Sequence, residues 1–180
     1  MIPFLRSSRL ADFERRIMPH LDAAYSLARF LMRNDLEAED VVQEASLRAF
    51  RFYEGFRGDN PRGWFLSIVR NTAFTALKRA GKAEAEVLFD EELHTPETAA
   101  ADVGAEMDRE LDRQTVRAAI EQLPVEFREV ITLRELEDCA YKEIADIVNV
   151  PVGTVMSRLA RARRQLHAIL SQSYPERARS

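Results

Sequence analysis

Apolar residues recur at intervals of three and four along most of this chain, and that spacing limits the fold more than any other feature. Intervals of three and four place apolar side chains on one face of an α-helix, whereas a half-buried strand needs apolar and polar residues in alternation. No alternating run rich in Val, Ile or Thr and bounded by turn residues is present. The sequence therefore predicts an all-α protein.

Three amphipathic helices are predicted in the N-terminal half. The first covers residues 10–32, and Pro19 should kink or divide it because proline cannot donate a hydrogen bond inside a helix. The second covers residues 36–53, with Asn34 or Asp35 as its N-cap and acidic residues in its first turn. The third covers residues 61–81, begins with a proline, which suits the first position of a helix, and ends at a glycine.

The segment 82–108 differs in composition from both of its neighbours. It is acidic, contains a proline and a glycine, and shows no sustained helical period, so we expect a flexible linker. Beyond it, helices are predicted over residues 109–122, 124–136, 140–148 and 154–171. The predicted organisation is thus two small helical domains, residues 1–81 and 109–180, joined by a flexible acidic linker.

The charge of the chain is distributed unevenly. A net charge of -4 would by itself argue against a nucleic-acid partner. Residues 57–82 nevertheless carry six basic residues and one acidic residue, and residues 151–180 carry the same numbers. Between them, residues 83–112 carry one basic and eleven acidic residues. Two separate basic segments indicate two contacts with a polyanion such as nucleic acid.

The composition argues against several other classes of protein. A single cysteine, Cys139, cannot form an intramolecular disulfide and is expected to be a packing residue, and three scattered histidines offer no cluster of metal ligands. The acidic residues form no convergent set, so we expect no catalytic residues, metal, cofactor or small-molecule substrate. Without a run of about 18 apolar residues or an apolar signal segment, the sequence predicts a cytoplasmic protein without membrane insertion.

Residues 141–159 have the layout of a helix-turn-helix. A short helix is followed by turn residues and a second helix, for which Thr154 is the predicted N-cap. The first part of such a second helix enters the major groove of DNA, where its polar side chains meet base edges and phosphates. The candidates for DNA contact are Thr154, Ser157, Arg158, Arg161 and Arg164. The alternative for this segment is an ordinary helical hairpin with a solvated arginine face.

The third predicted helix and the loop before it interleave basic and aromatic residues, a mixture that suits single-stranded nucleic acid. The polar candidates are Arg62, Arg70, Asn71, Lys78 and Arg79. Phe56, in the loop, is the aromatic candidate for holding an unstacked base, whereas Trp64 and Phe65 have helical spacing and are expected in the core. The second helix differs again, because Glu39, Asp40, Gln43 and Glu44 give it an acidic face. That face suits a basic protein surface, or it is simply solvated.

Three segments together resemble the extracytoplasmic-function (ECF, group IV) sigma factors of bacterial RNA polymerase, a branch of the sigma-70 family. Residues 38–45 with Phe50 look like the polymerase-binding helix of that family. Residues 64–73 look like its helix for the promoter -10 element, and residues 153–159 look like its helix for the -35 element. The order and spacing of the three segments also match, and the short linker points to this smallest group.

The resemblance implies a role for each set of candidates. The acidic helix would dock on the β′ clamp coiled coil of core RNA polymerase, with a further contact at the β flap. The loop 56–60, which adds Asp59 and Asn60, would capture with Asn71 a base flipped out of the -10 element, while Arg62, Arg70, Lys78 and Arg79 hold the DNA backbone. The helix-turn-helix would read the -35 element, and an anti-sigma factor would control the protein.

Two other classes of function are weighed against a sigma factor. A stand-alone helix-turn-helix regulator has no need of the acidic helix, and it would usually carry a dimerisation surface or a ligand pocket that the sequence does not indicate. A helical nucleic-acid-processing enzyme would need convergent carboxylates or metal ligands. The predicted function is therefore promoter-specific initiation of transcription without catalysis.

Overall fold

The computed structural model describes residues 3–81 and 106–173. The predicted linker falls almost entirely outside these described ranges, in residues 82–105. Within them, every regular element is helical. The prediction of an all-α fold is confirmed.

The N-terminal unit contains four α-helices. They are α1 (Pro3–Ile17), α2 (Leu21–Met32), α3 (Asp35–Phe52) and α4 (Pro61–Arg79). As predicted, Pro19 divides the first long helix, because it lies in a single 3₁₀ turn, Met18–His20, between α1 and α2. Helix α1 begins seven residues before the predicted start, since the polar run at residues 6–9 hides its helical period.

Two asparagine side chains fix the starts of α3 and α4. The Asn34 side chain accepts a hydrogen bond from the Glu37 amide at 3.0 Å, which confirms the predicted N-cap. The Asn60 side chain accepts from the Gly63 amide at 2.8 Å, one turn into α4. A Cβ at Gly63 would lie 2.6 Å from the Asn60 amide nitrogen, so glycine leaves room for this cap.

The second unit contains α5 (Glu106–Glu121), α6 (Val125–Ile131), α7 (Tyr141–Val148) and α8 (Val152–Ser173). A wide helical turn, Thr132–Leu136, extends α6, so the predicted helix 124–136 is one helical run. Helices α7 and α8 form the predicted helix-turn-helix. Asn149 ends α7 in the left-handed conformation with φ 56°, and its amide donates to the Ala145 carbonyl.

The prediction that Thr154 is the N-cap of the recognition helix is wrong. Helix α8 already begins at Val152. The Pro151 carbonyl accepts hydrogen bonds from the Thr154 and Val155 amides at 3.0 and 3.2 Å, so the first turn is complete before a Thr154 cap could act. Thr154 therefore lies within the first turn of α8.

The two units share one continuous hydrophobic core. Leu27, Leu31, Phe65 and Leu66 are fully buried in the N-terminal unit, and Phe65 is a core residue as expected. Helix α4 packs against α7 and α2 packs against α6, so the units lie directly against each other. The sequence analysis predicted only a flexible linker between the units, and such a linker does not imply that they pack together.

We expect Asn34→Ala to lower the free energy of unfolding by about 1 kcal/mol, because it leaves the Glu37 amide without its cap. Asn34→Asp is the matched control, since its carboxylate retains the acceptor. Urea denaturation followed by far-UV circular dichroism measures both. Equal loss of stability in the two variants would contradict the capping role.

Candidate nucleic-acid and polymerase interface

The acidic face of α3 is open to solvent. Glu39, Asp40, Gln43 and Glu44 are all exposed, and Glu44 forms an ion pair with Arg48 one turn later. The opposite face of the helix is buried. It consists of Ala38, Val41, Ala45 and Ala49. The small core residues bring α3 close to its neighbours and turn its acidic face outward.

Two leucines on the same outer face were not among the predicted site residues. Leu36 is 72% exposed and Leu47 is 70% exposed. With Asp40 and Gln43 they follow a spacing of four, three and four residues, which is one stripe of a helix. The sequence could have revealed these exposed leucines, because the helical period of α3 places both of them on its polar face. Exposed leucines beside carboxylates are typical of a protein-binding surface.

Phe56, the aromatic candidate in the loop before α4, stacks on Trp64. The Phe56 ring lies 4.7 Å from the Trp64 ring, centroid to centroid, at an angle of 28°. The Arg16 guanidinium also lies over the Phe56 ring, at 5.3 Å from its centroid. Phe56 is consequently half-buried, whereas Asp59 beside it is exposed. Arg16 is a cation at this loop that sequence reasoning missed, since it is distant in the chain.

The candidates on α4 divide into two groups. Asn71, Lys78 and Arg79 are exposed. Arg62 instead turns toward the second unit, where its guanidinium donates to the Glu137 carbonyl at 2.6 Å and lies 3.3 Å from the Glu137 carboxylate. Arg70 also faces the second unit. The predicted -10 residues therefore do not form one open surface in this structure.

Arg70 forms an ion pair with a buried carboxylate of the second unit. Glu129 of α6 is 0% exposed, and its carboxylate accepts two hydrogen bonds from the Arg70 guanidinium, at 2.8 and 3.3 Å. The same carboxylate accepts a third, from Arg158 of α8 at 3.3 Å. Burial raises the pKa of Glu129, and both guanidinium groups oppose that rise by favouring the charged form. Sequence reasoning missed Glu129, which has no distinguishing local pattern.

The -35 candidates share a face of α8. Ser157 and Arg164 are exposed, and Thr154, Arg158 and Arg161 are half-buried. Their spacing of three, one, three and three residues is that of a helical stripe. Arg158 borders the buried side of the helix, which is why it reaches Glu129. Arg163 lies off this stripe and pairs with Glu135 at 2.7 Å.

Cys139 is a packing residue, as predicted. It is 0% exposed, and its sulfur lies 3.4 Å from the Arg62 guanidinium of the other unit. Burial raises the pKa of the Cys139 thiol to about 11. The thiol is therefore held neutral at the junction of the two units.

The described residues form neither a metal site nor a membrane-spanning helix. Across residues 3–81 and 106–173, no group of three or more His, Cys, Asp or Glu side chains is arranged to hold a metal ion. None of the helices in these ranges is both long and apolar enough to cross a membrane.

Comparison with known proteins gives a match for each unit. The family model for sigma-70 region 2 matches residues 17–83, and the model for sigma-70 region 4 matches residues 113–166. The ECF RNA polymerase sigma factor SigE of Mycolicibacterium smegmatis is 32% identical over 174 residues, which cover 95% of this chain and 66% of that protein. The ECF RNA polymerase sigma-E factor of Haemophilus influenzae is 38% identical over 78% of this chain and 77% of its own length.

Solved structures give a similar result. The sigma factor RpoE of Bartonella quintana, in complex with the anti-sigma factor NepR, matches with a TM-score of 0.68 and 26% identity, over 89% of this chain and 97% of its own. CnrH, in complex with the cytosolic domain of CnrY, matches in fold with a TM-score of 0.63 and 24% identity, over 89% of this chain and 88% of its own.

A helical protein with an acidic, leucine-bearing helix in one unit and a helix-turn-helix in the other has the parts of a transcription initiation factor. With the matches to both sigma-70 regions and to relatives above 30% identity, the chain belongs to the ECF sigma factors of the sigma-70 family. The predictions of a sigma factor and of a protein without enzymatic activity are confirmed.

We expect the Cys139 thiol to react with iodoacetamide roughly a hundredfold more slowly in the folded protein than in the urea-unfolded chain at the same pH. A pKa about two units above its ordinary value lowers the thiolate fraction by that factor. Mass spectrometry of the alkylated protein gives the rates. Similar rates in the two states would show that the thiol is not buried.

Proposed function

We propose that this sigma factor binds core RNA polymerase through the acidic face of α3 and reads promoter DNA with α4 and α8. The observation that carries the proposal is the outward stripe on α3, present in the same chain as a helix-turn-helix with a polar face on its second helix. A stand-alone DNA-binding regulator has no use for that stripe. A factor that links a polymerase to a promoter needs both surfaces.

The proposed contact on α3 combines charge with apolar area. Asp40 and Glu44 would pair with basic side chains of the β′ clamp coiled coil, and Leu36 and Leu47 would be buried against it. Charge complementarity speeds encounter and fixes orientation, whereas buried apolar side chains at the centre of an interface supply most of the affinity. A second contact, between the C-terminal unit and the β flap, follows from family membership.

The -10 element is the proposed ligand of α4 and its preceding loop. Asn71 presents an amide, able to donate and accept hydrogen bonds, on the exposed side of α4, where a flipped base would be read on its edge. Phe56, Asp59 and Asn60 supply the loop beside it. Lys78 and Arg79 are exposed for phosphate contact, and Arg62 and Arg70 join them once they leave the second unit.

The -35 element is the proposed ligand of α8. Ser157, Arg158 and Arg161 lie in its first half, the part of a recognition helix that enters the major groove, where arginine pairs well with guanine. Thr154 and Arg164 flank them and suit phosphate contacts. Such contacts set orientation, while base contacts set specificity.

An anti-sigma factor is the proposed regulator, and the cytoplasm, where promoter DNA and polymerase are found in bacteria, is the proposed location. Support for the regulator comes from the Bartonella quintana relative, whose structure was solved with the anti-sigma factor NepR. Such a partner would compete for the surfaces that bind polymerase and DNA.

Run-off transcription tests the function directly. Purified core RNA polymerase is combined with a promoter library, with and without this protein. We expect initiation from promoters that share a -35 and -10 pair only when the protein is present. Tight duplex binding by the protein alone, without initiation, would instead favour a stand-alone regulator.

We expect Asp40→Lys to weaken binding to core polymerase at least tenfold, about 1.4 kcal/mol, because it places a positive charge on a face proposed to meet basic residues. Promoter preference should not change. Asp22→Lys, an exposed reversal on α2, is the matched control. Fluorescence titration of labelled protein with core polymerase measures both, and equal affinities would remove α3 from this role.

Arg161→Ala should weaken binding to promoters with a -35 element by about 1–3 kcal/mol if the lost contact is to a base edge. Arg163→Ala is the matched control, since Arg163 lies off the stripe and pairs with Glu135. Competition binding of the sigma–polymerase complex to promoters with intact and scrambled -35 elements gives both values. A loss of the same size on the two promoters would indicate a phosphate contact instead.

A further inference from the structure

Two exposed apolar side chains lie at the start of α8. Val152 is 39% exposed and Met156 is 53% exposed. They are four residues apart, so they lie one turn apart on the same side of the helix. Single exposed apolar residues are common on protein surfaces. This pair, however, lies in the part of a recognition helix that enters the major groove, and neither residue belongs to the proposed -35 contacts.

The buried face of α8 determines which of its side chains are directed toward DNA. That face consists of three apolar residues, Val155, Leu159 and Ala162. Gly153, Ser157 and Ala160 lie on the opposite face and are exposed. A Cβ at Gly153 would meet no atom within 4 Å. Small residues at the centre of the outward face let the helix lie deep in the groove, so the longer side chains at its edges decide which bases are read.

Met156 and Arg161 lie at the two edges of this outward face. Five residues separate them, which places them about 140° apart around the helix axis. They therefore reach different bases. The Arg161 guanidinium is a hydrogen-bond donor and suits guanine, whereas the Met156 thioether has no donor and is only a weak acceptor. The apolar group on the major-groove edge of DNA is the C5 methyl group of thymine, and that group suits Met156.

Ser157, next to Met156, favours the same kind of base pair. Its hydroxyl donates to the Thr154 carbonyl at 3.0 Å, so only its lone pairs remain for DNA. A hydroxyl in this state accepts a hydrogen bond from the exocyclic amine of adenine or cytosine. Only the A·T pair carries both an amine donor and a methyl group on its major-groove edge. Two adjacent residues of α8 thus point to an A·T pair by separate chemistry.

We propose that Met156 is a specificity-determining residue of the -35 interface and reads the C5 methyl group of a thymine. Val152, one turn earlier, extends the apolar surface that covers this methyl group, and Ser157 accepts from an adenine amine beside it. The inference rests on the proposed role of α8 at the -35 element. It adds the class of base that the apolar edge of the helix selects.

Replacing thymine by deoxyuridine tests the contact, because it removes the methyl group and leaves every hydrogen-bonding group of the base in place. The -35 element is first identified by run-off transcription. Each of its thymines, on either strand, is then replaced in turn, and the affinity of the sigma–polymerase complex is measured by competition binding. We expect one replacement to weaken binding about fourfold, the ratio for burying one methyl-sized group. The same replacement in the spacer between the promoter elements should have no effect.

Three full-length variants assign the effect to a side chain. Met156→Ala should bind the thymine and deoxyuridine promoters equally, because it lacks the apolar contact. Met156→Leu retains an apolar side chain and should keep the preference for thymine. Arg161→Ala, on the other edge of the same face, is the matched control, since it should weaken binding to both promoters and keep their ratio. Thermal unfolding verifies that each variant is folded.

The outcomes separate the methyl contact from the proposed function. Equal binding of the two promoters by the wild type, with dependence on the -35 element retained, would overturn the role of Met156 alone. A preference for thymine that survives in Met156→Ala would also overturn it, because another residue would then contact the methyl group. Binding that does not depend on the -35 element at all would overturn the proposed function of α8, and the inference with it.

Discussion

The buried carboxylate of Glu129 is the interaction on which the arrangement of the two units depends. A carboxylate without solvent is costly, and three hydrogen bonds from Arg70 and Arg158 offset that cost. Arg158 belongs to the same unit as Glu129, whereas Arg70 belongs to the other. The second unit therefore satisfies its own buried charge fully only when α4 lies against it.

Some polar surfaces of the molecule face solvent, whereas others contact side chains of the other unit. The outward stripe of α3 and the Ser157 side of α8 face solvent, so they are open to a partner without rearrangement. Arg62 and Arg70 of α4 are held by carboxylates. The exposed stripe on α3 and the engaged arginines on α4 thus lie in the same N-terminal unit.

Local chemistry made the helices predictable. Pro19 interrupts the long first helix because a proline inside a helix cannot donate a backbone hydrogen bond, and an asparagine before an acidic turn caps the next helix. Helices α2 and α3 could therefore be placed from the sequence. The error at Thr154 has a local cause as well. Threonine and proline both favour helix starts, and the Pro151 carbonyl formed the first turn before the threonine was reached. Leu36 and Leu47 were readable from the helical period but resembled core residues by type.

Sequence alone determined the helical class, the start of α3, the acidic stripe and the polar face of α8, because each depends on residues within a few turns of one another. Only the tertiary structure decided which arginines are engaged by carboxylates of the other unit. Arg70 and Glu129 are 59 residues apart, and Arg62 and Glu137 are 75 apart. Helical periodicity carries no information about such pairs, since they form only when two units bury a common surface.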